Sequence, residues 1–315
     1  MKAVVGIDTS NYTTSVAAVD AQGNVIASIR KLLPVKTGER GLRQSDAVFA
    51  HVRQLPGLIE SLSHCLGGYE IAAICCSSRP RDNEDSYMPV FQVGEANARA
   101  LAAMLGVPCF YTTHQRGHMQ AALIDAGLED RRFLMIHLSG GTTELLHADH
   151  DALQLLGGTK DLHAGQFVDR VGVALGLDFP AGPALEKLAR KAEKAEACLP
   201  VSMEDKDLFC HFSGAETRAQ QYIRSGMAPE QVAIEVYDLL ARTIARLASA
   251  GAAVTGTEKV LIAGGVASSA LFREMLSARN RKAGRLDIYW GKPEYSGDNA
   301  CGVARIGRNM LLGKE

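Results

Sequence analysis

The chain has 315 residues, 47% of them hydrophobic, with a formal net charge of -1 and a pI near 6.8. The length predicts two domains of roughly 150 residues each. The near-neutral charge excludes an autonomous nucleic-acid binder that depends on a global positive field, though not a local basic patch. The first residues, MKAVVGIDTS, run straight into a strand-like segment with no apolar leader, and no run approaches the ~20 apolar residues of a membrane span. The seven cysteines lack the CxxC spacing of a structural zinc site. Cys75, Cys76, Cys109 and Cys210 sit in or beside apolar runs and read as buried reduced thiols, so the expectation is a cytoplasmic protein with no membrane partner.

Taken in order, Lys2 to Asp8, Ser15 to Val19 and Val25 to Ile29 read as three antiparallel strands. Between the first two lies a hydroxyl-rich turn, Thr9 to Thr14, which either holds a phosphate or its Mg²⁺ or is a polar hairpin. Residues 34 to 45 read as a loop exposing Lys36, Arg40 and Arg43. A helix capped by Asp46 follows to about Leu66, with a stripe of Val48, Val52, Leu55, Ile59 and Leu62, and with Pro56 kinking or splitting it. After a strand at Ile71 to Cys76, the charged stretch Ser77 to Ser86 leaves the strand end, where α/β proteins place binding loops. Asn97 to Leu105 is predicted helical and Pro108 to Tyr111 extended.

The stretch from Cys109 to His118 ends in two histidines at i, i+4. A helix starting at Thr113 puts both imidazoles on one face, a spacing that suits a shared divalent metal. One capping and one packed histidine is the plainer alternative. Asp298 is a candidate third ligand, or else the N-cap of a closing helix to Leu312.

A second cycle repeats the order of the first: strand Phe133 to Leu138, the turn Ser139-Gly140-Gly-Thr-Thr143, strand Glu144 to Ala148, the turn Asp149 to Asp151, strand Leu153 to Leu156. This predicts an internal duplication, two α/β halves about a cleft. Ala164 to Leu175 is predicted helical, carrying Gln166 and Asp169, and Pro183 opens a solvated Lys/Glu-rich helix to Ala197. A turn at His211 to Gly214 and a long helix from Pro229 to about Gly251 come next. The strand Lys259 to Ala263 then runs through Gly264-Gly265 into a helix from Ser268 or Ser269. That pattern offers backbone donors to a ligand, or serves close strand–helix packing. Asp287 to Trp290 is a last strand.

These motifs together resemble the TsaD/Gcp family of tRNA N6-threonylcarbamoyladenosine synthases, once labelled glycoproteases, over nearly the whole chain. The motifs are Gly6-Ile-Asp-Thr-Ser10, His114-Gln-Arg-Gly-His118, Ser139-Gly-Gly141, Phe167-Val-Asp169, Gly176 to Pro183, His211 to Gly214, Gly264-Gly-Val266 and Ser296-Gly-Asp-Asn299. The resemblance implies an actin-like ATPase (ASKHA) fold: two duplicated ribonuclease-H-like lobes around a nucleotide cleft, at residues 1–130 and 131–315, the second with a helical insertion at about 160–230. It implies transfer of a threonylcarbamoyl group from its adenylate to N6 of adenosine 37 of tRNA. His114, His118 and Asp298 match the ligands of one Fe²⁺ or Zn²⁺ per chain. Asp169, Gly182 and Gly265 match positions that hold ATP or the acyl-adenylate, and Ser139, Gly140 and Ser269 fall in the turns expected to bind it. The partners it admits are an adenine nucleotide, tRNA, and TsaB-like and TsaE-like proteins or a second copy in a homodimer.

The chain departs from the family pattern at its rim. Asp8 stands for a glutamate, Asn11-Tyr12-Thr13 for Cys-Asp-Glu, and Thr142 for a histidine. Ser78 to Asp82 replaces AGPGL, and Gly41 to Gln44 with Ala50-His51 replaces GGVVPE and SRDH. Ser269 stands for an adenine-contacting asparagine and Glu216 for a lysine. This pattern predicts a divergent paralogue: the same chemistry, a carbamoyltransferase with another acceptor, or a non-catalytic nucleotide-binding partner. No Ser-His-Asp or HExxH arrangement supports a protease.

Overall fold

In a computed structural model, residues 1–10, 12–34, 42–83, 86–150, 152–204, 208–284 and 286–314 are described. Lys36, Arg40, Asn11, Gly41 and Asp151, all singled out in the sequence, lie outside them; Arg43 is exposed as expected.

The first sheet begins with β1 (Lys2–Thr9), β2 (Thr13–Asp20) and β3 (Val25–Leu32), consecutive antiparallel strands. Every residue of β1 after Lys2 is buried, so its apolar run is continuous rather than alternating, as for a central strand covered on both faces. Helix α1 (Gln44–Cys65) leads to β4 (Glu70–Arg79), which pairs parallel to β1. Helix α2 (Phe91–Leu105) leads to β5 (Cys109–Thr113), parallel to β4, and α3 (His114–Ala122) follows directly. The sheet order is β3-β2-β1-β4-β5.

The second sheet repeats this. Strands β6 (Arg132–Leu138), β7 (Thr143–Asp149) and β8 (Ala152–Thr159) are antiparallel. Then come α4 (Ala164–Ala174), α5 (Gly182–Ala189), the short β9 (Ser202–Glu204) and β10 (Phe209–His211), α6 (Ser213–Arg224) and the long α7 (Pro229–Thr255). Strand β11 (Lys259–Ala263) returns parallel to β6. Helix α8 (Ala270–Ala283) connects to β12 (Asp287–Trp290), and α9 (Cys301–Leu311) ends the chain. The order β12-β11-β6-β7-β8 mirrors the first sheet, with β10 and β9 added at its edge. The strand order expected to repeat does so in the two sheets.

Two compact units result: Met1–Ile124 with Gly297–Glu315, and Asp125–Ser296. The expected boundary at residue 130 kept the C-terminal helix in the second lobe. Helix α9 instead packs on β1, β4 and α3 of the first unit. Two glycines explain this: a Cβ on Gly302 would stand 1.9 Å from the Gly117 carbonyl oxygen, and one on Gly6 2.5 Å from the Ala300 carbonyl oxygen. No other residue permits such an approach of α9 to α3 and β1.

Other expectations need correction. Pro56 neither splits nor ends α1; it and Val52, whose carbonyl loses its usual helical donor, are both exposed. The buried stripe is Ala47, His51, Leu55, Leu58 and Leu62, so a polar residue sits in its middle. Asp46 lies in the first turn rather than at the cap, and α2 begins at Phe91 instead of Asn97. Helix α5 stops at Ala189, well short of Ala197. The Glu235 carboxylate accepts hydrogen bonds from the backbone N–H groups of Glu196, at 2.5 Å, and Cys198, at 2.9 Å, which holds that stretch in an open conformation. All seven cysteines are free thiols; Cys109 is only partly buried. Among the described residues no helix is long and apolar enough to cross a membrane.

Candidate metal centre and nucleotide cavity

Strand β5 delivers the chain to α3, whose cap is Thr113: its hydroxyl accepts a hydrogen bond from the Arg116 N–H at 3.3 Å. The i, i+4 spacing then brings His114 Nε2 within 3.0 Å of His118 Nε2. Asp298, 180 residues after His118, approaches both: its Oδ1 lies 3.2 Å from His118 Nε2 and 3.6 Å from His114 Nε2. It does not cap α9; Asn299 Oδ1 accepts the Cys301 N–H at 3.0 Å instead, which frees the Asp298 carboxylate for the histidines.

These separations fit a shared cation. Donors bonded at 2.0–2.2 Å to one ion lie about 3.0–3.5 Å apart in tetrahedral or octahedral geometry. His114, His118 and Asp298 form a candidate metal-binding site, each offering one ligand atom within 4.8 Å of the others.

The surroundings fix these ligands. Asp8 Oδ1, fully buried, lies 3.0 Å from His114 Nδ1 and also accepts the Ser77 hydroxyl. A proton held at Nδ1 by this carboxylate leaves Nε2 as the lone-pair nitrogen, the arrangement that ligating histidines favour. Asp8 Oδ2 is buried without a partner among the described residues, a negative charge that a nearby cation would offset. Ser10 donates to Asp298 Oδ2 at 3.0 Å, and Arg30 Nη1 donates to the Asp298 carbonyl at 3.4 Å. The wall behind Ser10 is His51, fully buried, 2.7 Å from the Ser10 carbonyl and 2.8 Å from the Thr14 hydroxyl.

Electrostatics follow from this packing. Burial opposes protonation of His114, but the charge and hydrogen bond of Asp8, with the charge of Asp298, push the imidazole up to about 9. Burial likewise opposes ionisation of Asp298; hydrogen bonds from His118 and Ser10 and the histidine charges hold it far below the usual carboxylate range. Burial pulls His51 down, against the opposing pull of the Ser10 carbonyl and the Asp8 charge.

The hydroxyl turn after β1 is committed to protein. Thr9 donates to the Val90 carbonyl at 2.9 Å, Ser10 binds Asp298, and Thr14 faces His51 and Gln54. The Ser10 and Thr14 hydroxyls therefore build the wall of the metal centre.

The second unit holds a cavity of about 430 Å³ lined by five of the six residues expected to meet a nucleotide: Gly140, Asp169, Gly182, Gly265 and Ser269. Ser139 is absent from its lining; its carbonyl accepts the Gly165 N–H at 3.1 Å and its hydroxyl the Gly141 N–H at 3.3 Å, so it shapes the turn beneath. Asp169 Oδ1 accepts the Ala181 N–H at 2.8 Å and steadies the Pro180–Pro183 turn at the rim. Ser269 caps α8 by accepting the Phe272 N–H at 3.2 Å. Glu216 does not line the cavity and instead accepts from Gln220 in the next turn of α6.

Two lining residues escaped the sequence reading. Tyr237, buried in the face of α7, donates to the Gly182 carbonyl at 2.9 Å; burial and the Glu186 charge raise its phenol. Glu186 sits in the Lys/Glu run read as solvated, yet its carboxylate accepts the Leu271 N–H at 2.8 Å and so ties α5 to α8. A tyrosine on an otherwise apolar helix face was the available signal for the first; the second had none.

Comparison with known proteins assigns this arrangement. At the level of fold, the chain is similar to a ROK family glucokinase from Streptomyces griseus, solved with glucose and AMPPNP (TM-score 0.56, 13% identity, 98% of this chain and 99% of that one). It is also similar to full-length HypF in a phosphate- and nucleotide-bound form (TM-score 0.64, 13% identity, 98% of this chain and 46% of that one). The chain thus shares the α/β fold of these proteins. The sequence model of the tRNA N6-adenosine threonylcarbamoyltransferase family, TsaD, matches residues 23–305, and the chain belongs to that family. It is 30% identical to the tRNA N6-adenosine threonylcarbamoyltransferase of Pyrobaculum calidifontis, over 96% of this chain and 86% of that protein. It is 28% identical to a probable bifunctional tRNA threonylcarbamoyladenosine biosynthesis protein of Thermoplasma volcanium, over 98% of this chain but 56% of that protein. The chain spans about half the length of the bifunctional relatives.

Proposed function

We propose that the protein is a metal-dependent acyltransferase that moves a threonylcarbamoyl or related carbamoyl group from its adenylate to N6 of adenosine 37 of tRNA. The observation that carries this reading is the convergence of His114 Nε2, His118 Nε2 and Asp298 Oδ1 at ligand spacing. Family membership supports this substrate class. His114, His118 and Asp298 hold Fe²⁺ or Zn²⁺, which when bound supplies a Lewis acid for negative charge developing on a carbonyl oxygen. Asp8 holds the proton on His114 Nδ1, and Ser10 and Arg30 orient Asp298. Gly140, Asp169, Gly182, Gly265 and Ser269 surround the adenylate or ATP, with Tyr237 and Glu186 keeping the cavity walls in place.

The test is transfer of a labelled acyl group from a supplied acyl-adenylate, with tRNA and small-molecule amines or alcohols offered in parallel to the metal-loaded protein. Label in tRNA supports the reading. Label only in a small acceptor moves it to another carbamoyltransferase. Nucleotide binding without transfer to any acceptor leaves the non-catalytic partner, which the rewritten rim at Ser78 to Asp82, Glu216 and Ser269 favours.

A further inference from the structure

One polar side chain of α1 lies inside the first unit, where an apolar one would pack at no cost. His51 is fully buried on the stripe that Ala47, Leu55, Leu58 and Leu62 form. A buried imidazole needs partners, and each ring nitrogen has one. Nε2 lies 2.7 Å from the Ser10 carbonyl oxygen, and Nδ1 lies 2.8 Å from the Thr14 hydroxyl. These mark the two ends of the turn between β1 and β2, since Ser10 follows β1 directly and Thr14 lies just inside β2. One ring thus spans the turn and ties down both of its ends.

The proton positions follow from these partners. A carbonyl only accepts, so Nε2 carries the ring proton and donates to Ser10. Nδ1 is then the lone-pair nitrogen, and the Thr14 hydroxyl donates to it. Thr14 has one proton and a second acceptor in reach, Gln54 Oε1 at 2.9 Å. Gln54 is only partly buried and can turn its amide to donate instead, whereas the buried Nδ1 has no other donor among the described residues. Burial favours the neutral ring that this pattern needs. Ser10 in turn has a choice of acceptors for its hydroxyl: Asp298 Oδ2 at 3.0 Å, or the Thr13 carbonyl of its own turn at 3.4 Å. A small rotation of the Ser10 backbone decides between them.

We infer that His51 is a positioning residue of the metal centre: it holds the Ser10 backbone so that the Ser10 hydroxyl serves Asp298 rather than Thr13. Asp298 Oδ2 is thereby occupied, and Oδ1 is left to face His114 and His118. The inference rests on the reading of these three residues as metal ligands. With both nitrogens engaged and no exposed surface, His51 itself is neither a ligand nor an acid–base group. Its effect on the centre passes through one carbonyl and one hydroxyl of Ser10.

The test is the Zn²⁺ affinity of the full chain, measured by competition with a chromophoric chelator. His51→Leu is expected to weaken it about tenfold, the lower end of the range for groups that orient metal ligands. His51→Gln places an amide nitrogen close to where Nε2 lies, keeps the bond to the Ser10 carbonyl, and recovers affinity to within about threefold of wild type. Packing alone predicts the opposite order, because leucine suits an apolar stripe better than glutamine. The route through Ser10 is read from a double-mutant cycle: in a Ser10→Ala background, adding His51→Leu changes affinity by less than about twofold. Should His51→Leu fail to fold, His51→Asn takes its place in both comparisons, since its shorter amide reaches Thr14 but not Ser10. Affinity equal to wild type in the Leu or Asn variant, Leu at or above Gln, or additive effects in the Ser10→Ala background overturns the inference and leaves the metal centre standing. A wild-type chain that binds no Zn²⁺ overturns the metal-centre reading, and the inference with it.

Discussion

The two sheets share one strand order, yet the strand that opens each ends differently. Strand β1 ends in Asp8 and Thr9, with Ser10 directly after, and these side chains turn inward and hold His114, Val90 and Asp298. Strand β6 ends in Leu138, and the glycine turn after it presents Gly140 to a cavity. The first unit thus spends its strand end on buried side chains that fix charged ligands. The second keeps its turn bare, and Gly140 with other small residues lines a cavity. One repeated strand order thus carries two differently built strand ends, as expected when function is grafted on a fold.

The sharpest way to break this contrast is at the α3–α9 crossing. Gly302→Val puts a side chain where the Gly117 carbonyl now lies, so α9 must move away from α3. The expected cost is about 3 kcal/mol or more, read as a lower denaturation midpoint, together with loss of metal from the first unit. Asp8→Asn removes the buried carboxylate that holds His114 Nδ1. Metal affinity is expected to fall about 10- to 100-fold by competition titration, while ATP affinity stays within twofold, roughly the scatter of such measurements.

Tyr237→Phe probes the other unit. Losing the hydrogen bond to the Gly182 carbonyl costs about 1 kcal/mol, expected as weaker ATP binding by calorimetry with metal content unchanged. An effect of similar size concerns neither ligand. Asp161 accepts the N–H groups of Leu162, Phe212 and Ser213 and the Ser213 hydroxyl at the start of α6. Burial opposes its ionisation, but these hydrogen bonds win and lower it from its ordinary 3.8. A group lowered on folding stabilises above its unfolded value and loses that contribution as the pH falls. Asp161→Asn should therefore lower stability by about 1 kcal/mol at pH 7, with the gap to wild type closing below about pH 4 in urea melts at several pH values. A gap that stays constant with pH would remove Asp161's charge from the account.

What the sequence disclosed divides along physical lines. The strand runs, the repeated order and the His114–His118 face follow from local periodicity, and these were legible. Asp298 was reachable by resemblance, but its release from capping depended on Asn299, a neighbour whose role only the backbone geometry reveals. Asp8 reads from the sequence as a departure from a family motif; in the structure it is the carboxylate that orients a ligand. His51 was hidden because a polar residue inside an apolar stripe breaks the pattern used to find the stripe. Beyond the end of α5 at Ala189, Glu235, almost 40 residues away, takes the backbone N–H groups of Glu196 and Cys198, a partner the local sequence does not show. Long-range partners of single polar groups, rather than element types, account for most of these corrections.

The most direct measurement is the metal content of the purified, reloaded protein by mass spectrometry, for wild type, His114→Ala and Asp298→Ala, with ATP binding measured on the same samples. The account predicts about one iron or zinc per wild-type chain, none retained by either variant, and ATP affinity preserved in all three. Equal metal in wild type and both variants, or a wild-type chain that retains none after loading, would contradict it.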